Sequence, residues 1–373
     1  MTEIVPLDER KQHILKAVVD DYIATAEPVG SKSLVQKHQF SFSSATIRNE
    51  MAELEALGYL EQPHTSAGRI PSDKGYRAYV DNLMQIENLS QEETDRIRGY
   101  LRDSLDELTG LIRKASSVLS EETGYMSLAL SPHMRRSHLQ QIKMLMIEPG
   151  RALVVVVLSA GVVKDRLVRI PELLDANQLM QIASAIEDGL SGMTLDDITL
   201  VTVASTARNT PLPESLLNQV LYEAYVAIKQ ADNLELYIDG QHQLLAYPEF
   251  HDIGKARCFF DTLARDGIIA GYMNEIKDAQ DPENASPPSG RPDKPSYMIR
   301  IGQEISVDGL KDCSFVTTTY KVGDVIAGRI GVIGPRRMAY SKVISHISFV
   351  KQTMNEHLRR LTRGEEIVEE KQT

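Results

Sequence analysis

The chain has 373 residues, 42% of them hydrophobic and 25% charged, which suits a globular protein of two or three domains and excludes a disordered or fibrous one. A net charge of −11 argues against a protein that coats nucleic acid in bulk, so any DNA contact must rest on locally placed cations. Cys258 and Cys313 lack metal-type spacing and are expected to stay reduced in the cytoplasm; the first residues hold no signal-peptide core, and the longest apolar run, 152–158, is far too short to span a membrane.

Asp8 can cap a helix reaching about Thr25, with Ile14, Val18 and Tyr22 in one row and Leu15, Val19 and Ile23 beside it. EPVG at 27–30 is a turn, and Ser31 can cap the short helix SKSLVQKH. The next stretch, SSATIRNEMAELEALG at 43–58, organises this part of the chain. Ser43 or Ser44 is a suitable N-cap, Gly58 a suitable stop, and Ile47, Met51 and Leu54 share one buried face. At about 100° per residue the opposite face carries Ala45, Arg48, Asn49, Ala52 and Ala56. Three alanines with one Arg and one Asn form a face that something large can approach. Arg and Asn also match guanine and adenine edges in the major groove. The bland alternative, small residues packing inside the same protein, has about equal weight on this stretch alone.

The context favours DNA. Two short helices after a longer one make a helix-turn-helix, and residues 59–70 read as a two-stranded wing around a loop of turn-formers at 63–68. Gly68 is expected at the wing tip, Arg69 in an adjoining minor groove, and Lys74 and Arg77, beyond a cap at Ser72, on phosphates. The candidate contacts are thus Ser43, Ser44, Ala45, Thr46, Arg48, Asn49 and Ala52 on the helix, Thr65, Ser66, Gly68 and Arg69 on the wing, and Lys74 and Arg77 after it. Residues 1–80 hold nine Lys and Arg against eleven Asp and Glu, so binding should be selective rather than adhesive.

EPVGSKSL (27–34), SSATIRNEMAELEALGYLEQPHTSAGRIPSDKGYRAYVD (43–81) and GVIGPRRMAY (331–340) resemble the HrcA family, bacterial heat-inducible transcription repressors. The resemblance implies an α+β multidomain protein: an N-terminal winged helix-turn-helix, a GAF-like antiparallel α+β domain, and a dimerising α+β domain inserted into it. It also implies repression of chaperone operons by a homodimer on the inverted repeat known as CIRCE. The chaperonin GroE would keep the repressor active, and heat shock would release it.

The expected division is 1–89 for the winged helix, 90–175 for the first GAF-like part with a connecting helix, 176–267 for the inserted domain, 268–363 for the second GAF-like part, and a frayed tail at 364–373. Ser90 and Glu93 form a capping box, and apolar spacing from Ile97 to Leu119 predicts one long helix or two broken near Gly110. Residues 138–147, 151–158 and 161–170 read as strands, with LVVVVL expected in a central strand buried on both faces. Helices are expected at 177–190, 216–229, 257–265 and 341–362. Asp239-Gly240 is expected to turn a hairpin, and the Pro-rich 278–295 to be a flexible loop.

No catalytic chemistry is predicted. GRIGVIGP (328–335) lacks the helix a nucleotide fingerprint needs, His133 and His138 lack a third metal partner, and no nucleophile motif occurs. No enzyme activity, metal or cofactor is expected. Two other classes stay open: a regulator whose GAF-like domain senses a metabolite, and a winged helix that binds protein.

Overall fold

The computed structural model describes residues 7–38, 40–65, 67–102, 108–159, 161–206, 213–275, 297–322 and 325–363. Asp8 caps α1 (Glu9–Thr25), accepting from the Lys11 N–H at 2.7 Å, and Ile14, Leu15, Val18 and Val19 are fully buried on its inner side. α2 (Ser31–His38) and α3 (Ser44–Ala56) close a small core over Leu34, Ile47, Met51 and Leu54. Gly58, at φ 79°, turns the chain into β1 (Leu60–Glu61), which pairs antiparallel with β2 (Ile70–Pro71). Ser72 then caps α4 (Asp73–Ala78), and one wide turn carries the chain to Leu83.

α5 (Gln91–Arg102) opens on the predicted capping box, with the Ser90 N–H donating to Glu93 at 2.8 Å and the Glu93 N–H to Ser90 Oγ at 3.2 Å. α6 (Leu108–Thr123) folds back against it. Arg96 lies 2.6 Å from Glu122, whereas one continuous helix would separate residues 26 apart by about 39 Å. The apolar spacing therefore belongs to a helical hairpin, and Gly110 sits inside α6 instead of marking a break.

β3 (Met126–Leu130) enters the main sheet, and the chain then leaves it. β4 (Leu139–Glu148), β5 (Arg151–Leu158) and β6 (Val163–Arg169) make a separate antiparallel sheet in the order β4-β5-β6. α7 (Ala176–Leu190), α8 (Leu200–Thr206) and α9 (Glu214–Gln230) accompany it, with α7 on β4 and α9 on β5 and β6. β7 (Leu236–Asp239) returns to pair with β3. α10 (Ile253–Leu263), α11 (Asp266–Glu275), β8 (Tyr297–Ile301), β9 (Cys313–Val322), β10 (Val325–Pro335) and α12 (Tyr340–Arg363) complete the body. Its antiparallel sheet has the order β7-β3-β10-β9-β8. Ala129, Val316, Ile330 and Val332 pack toward α6 and α12, while Met126, Leu128, Phe315 and Ile333 pack toward α10 and α11, so the sheet lies between two helical layers.

Three expectations are corrected. The sheet pairing places the excursion between Leu130 and Leu236, so the strands at 139–169 group with the helices at 176–230, and 236–267 belong with the main sheet instead of an insert at 176–267. Asp239-Gly240 makes no hairpin: Gly240, at φ 72°, leads into a short 3-10 turn, and a Cβ there would fall 1.7 Å from Ser120 Oγ. β5 is central, yet only Ala152, Val154, Val156 and Leu158 are buried; Leu153, Val155 and Val157 face the open side of a three-stranded sheet. Of the two readings of 97–119, two helices is the one found, with α6 beginning at Leu108, ahead of Gly110. Residues 278–295 and 364–373 lie outside the described residues.

Candidate nucleic-acid interface

The geometry of α3 follows from its ends. Ser43 is the N-cap, its Oγ accepting from the Thr46 N–H at 3.2 Å and meeting Thr46 Oγ1 at 3.0 Å. The other end is held from outside the helix. Lys74 Nζ donates to the Leu57 carbonyl at 2.9 Å and sits 4.3 Å from the centre of the Tyr59 ring, a cation at the negative end of the helix. With Ile47, Met51 and Leu54 turned into the core, Ala45, Arg48, Asn49, Ala52 and Ala56 are all solvent-exposed, as the helical period requires.

The cations of the N-terminal unit before α5, residues 7–89, the head of the molecule, divide into two groups. Arg10 and Lys11 pair with Glu50, and Lys11 also with Asp8 and Glu53. Lys16 pairs with Asp20, Lys37 with Asp21 and Arg69 with Glu55. Lys74 is committed to Leu57 and Arg77 to Glu304. Among the described residues this leaves Lys32, at the start of α2, and Arg48, in the middle of the exposed face of α3, as the cations of the head without a partner. Lys32 escaped the sequence reading, which weighed cations by position along the chain and had no view of which acids they meet.

The wing is held close to the helix-turn-helix. The Val29 and Arg69 backbones exchange two hydrogen bonds, at 2.9 and 2.8 Å, which tie the turn before α2 to the returning strand. Gly68 is not at the tip. It packs so tightly on this turn that a Cβ would lie 2.4 Å from the Val29 carbonyl oxygen. Thr65 occupies the exposed tip, where the Gln62 amide donates to the Thr65 and Ala67 carbonyls, each at 3.0 Å. Ser66 lies outside the described residues. Arg69, expected to project into a groove, lies at the base of the wing against Glu55 at 2.8 Å.

Arg77 departs furthest from expectation. Its Nε donates to Glu304 at 2.9 Å, its Nη2 contacts the same carboxylate and donates to the Ile299 carbonyl at 2.8 Å, and its Nη1 reaches Asp81. In this structure it binds the body. It is one of several clasps: Asp73 accepts from Arg336 at 2.9 Å and from the Gln303 N–H at 3.0 Å, and Arg337 joins Glu249 at 2.5 Å to the Ile23 carbonyl at 3.1 Å. The adjacent arginines of GVIGPRRMAY therefore fasten α4 and the end of α1 to the main sheet. Ser341, at the start of α12, accepts from the Glu87 N–H and donates to the Gln85 carbonyl, both at 2.8 Å, and so fixes the connecting segment.

Comparison with known proteins bears on this arrangement. Residues 109–344 match the family model described as the HrcA protein C terminal domain. The chain is 41% identical over 357 residues to the heat-inducible transcription repressor HrcA of Ruminiclostridium cellulolyticum, covering 95% of this chain and 98% of that one. The chain belongs to the HrcA family. The HrcA of Acetivibrio thermocellus is likewise 41% identical, over 95% of this chain and 97% of its own. A crystal structure of a hypothetical protein covers 95% of the chain with a TM-score of 0.64 at 20% identity, and shares its fold. As an HrcA-family member the chain is a heat-inducible transcription repressor and not an enzyme. No described helix is long and apolar enough to cross a membrane.

Proposed function

We propose that this HrcA-family repressor reads an inverted-repeat operator of the CIRCE type ahead of chaperone operons, as a homodimer, with α3 of each protomer in a major groove. The observation that carries the reading is the exposed face of α3: small side chains around Arg48 and Asn49, with Arg48 free of any intramolecular partner among the described residues. Ala45, Ala52 and Ala56 let the helix approach base edges, and a free guanidinium needs to break no ion pair before it contacts guanine. Lys32 stands ready to hold a phosphate beside it.

Each head has little positive charge to spare, so two heads on one operator supply the affinity that one cannot. The open face of the β4-β5-β6 sheet supports a second copy as the partner. Leu145 and Ile147 are 55% and 59% exposed there, Val163 and Leu167 48% and 49%, around the partly buried Leu153, Val155 and Val157. Gln141, Lys143 and Asp165 interrupt this face, so it offers exposed apolar side chains with polar ones among them, as an interface between copies does. In this reading the chaperonin GroE maintains the active dimer, and heat stress removes it.

The test is fluorescence anisotropy on a CIRCE-type inverted repeat and on a scrambled duplex, across a salt series, with and without chaperonin. The reading expects tight binding to the repeat alone, with an active fraction that rises with chaperonin. Equal weak binding to both duplexes refutes operator recognition. An active fraction indifferent to chaperonin refutes that part alone.

A further inference from the structure

We propose that Arg69 is a positioning residue: it fixes the wing against the reading helix through Glu55 and does not itself enter a groove. The inference rests on the DNA-reading role given above to α3. Three observations carry it. Both backbone groups of Arg69 are spent on Val29, so its Cα sits at the base of the wing, beside the helix-turn-helix. Its side chain is only 19% exposed, its Nη2 lies 2.8 Å from Glu55 Oε2, and its Nε is buried without a hydrogen-bond partner. The exposed residues of the wing loop, among those described, are Pro63, His64 and Thr65, all ahead of Arg69.

Glu55 lies in the last turn of α3, two residues before the carbonyl that Lys74 holds. The two cations thus grip the same end of the reading helix, one from the returning strand of the wing and one from α4. If Arg69 swung out to DNA, it would leave the Glu55 carboxylate bare on a head about to meet phosphates. The ion pair removes that repulsion and sets the angle between wing and helix at once. Gly68 supports the same geometry from the other side, because its missing side chain lets the wing close onto the Val29 carbonyl.

The two roles predict opposite signs for Glu55→Gln, a nearly isosteric change that removes only the charge. If Arg69 positions the wing, Glu55→Gln and Arg69→Gln each lower the ratio of operator to scrambled-duplex affinity by roughly fivefold, the range of a partly exposed ion pair. The double variant is then no worse than either single one, because one interaction is lost in all three. The slope of log K against log salt on the operator stays unchanged in Arg69→Gln. The loss disappears on a duplex trimmed of the base pairs that flank the half-sites, where the wing would lie. General destabilisation would not give this flank dependence.

The experiment uses the full chain, with thermal unfolding of each variant measured alongside. A preserved or raised ratio in Glu55→Gln, together with a salt slope in Arg69→Gln smaller by about one, overturns the proposal and makes Arg69 a direct contact. Additive losses in the double variant also overturn it. Failure of the unaltered protein to prefer the operator overturns the DNA-reading role itself, and is distinct from either result.

Discussion

Replacing Arg77 with alanine separates the two roles that sequence and structure give this residue. The guanidinium makes two contacts to the Glu304 carboxylate and one to the Ile299 carbonyl, with the Arg77 side chain 27% exposed and Glu304 31%. Hydrogen bonds to charged groups are worth about 1.5–3 kcal/mol when one partner is removed, and partial exposure reduces that figure. Asp81 is 45% exposed and adds little. Arg77→Ala should therefore cost about 2 kcal/mol in urea-induced unfolding, with the slope of log K against log salt for operator binding unchanged. Unaltered stability with a salt slope smaller by about one would make Arg77 a phosphate contact, and would refute the reasoning that fastens α4 to the body.

Three further outcomes follow from the same geometry. Gly68→Ala forces a methyl against the Pro28 and Val29 carbonyl oxygens and should break the Val29–Arg69 bridge; a loss of about 2–3 kcal/mol in the urea midpoint is expected, and an unchanged midpoint would deny the close approach. Arg48→Ala should leave unfolding unchanged, cost about 1–3 kcal/mol on the cognate operator and flatten base preference at one position per half-site; equal losses on all sequences would reduce Arg48 to a phosphate contact. Hydrogen bonds from the Ser90 backbone, then from its hydroxyl, hold the Glu93 carboxyl below its ordinary value. Its contribution is therefore present above the unfolded carboxyl value of about 4.3 and is lost as pH falls through the lower folded value. Urea titrations should find Glu93→Gln less stable than the unaltered chain at pH 6, with the gap narrowing below about pH 4; a gap that widens in acid would reverse the assignment.

What the sequence made legible was local. The Ser43 cap, the inward Ile47, Met51 and Leu54, and the exposed Arg48 and Asn49 depend on neighbours within a few turns, and the helical period alone places them. The two strands of the wing were legible for the same reason. The intramolecular partners of Arg69, Lys74 and Arg77 were not, because a basic side chain near a wing reads alike whether it meets a phosphate or an acid. Their partners are Glu55, the Leu57 carbonyl and Glu304, the last of them 227 residues away. The limits of the inserted unit were hidden in a similar way. Alternating apolar residues announce strands, but only the pairing of residues 126–130 with 236–239 says which sheet they join. The Asp239-Gly240 pair supplied the backbone freedom of a hairpin turn, and packing against Ser120 spent it on a different bend.

That pairing also bears on how the molecule assembles. The chain leaves the main sheet at Leu130 and re-enters on the adjacent strand at Leu236, where the Ser131 N–H donates to the Glu235 carbonyl at 2.8 Å and the Glu235 N–H to Ser131 Oγ at 2.7 Å. Bringing those two points together across an unfolded segment of roughly 100 residues costs about 4 kcal/mol of chain entropy before any contact is made. A segment already folded, with its own ends side by side, removes most of that cost. During synthesis the β4-β5-β6 sheet and its helices are made before β7, so the order of translation allows the inner unit to form ahead of β7 to β10 and the main sheet to close around a finished piece.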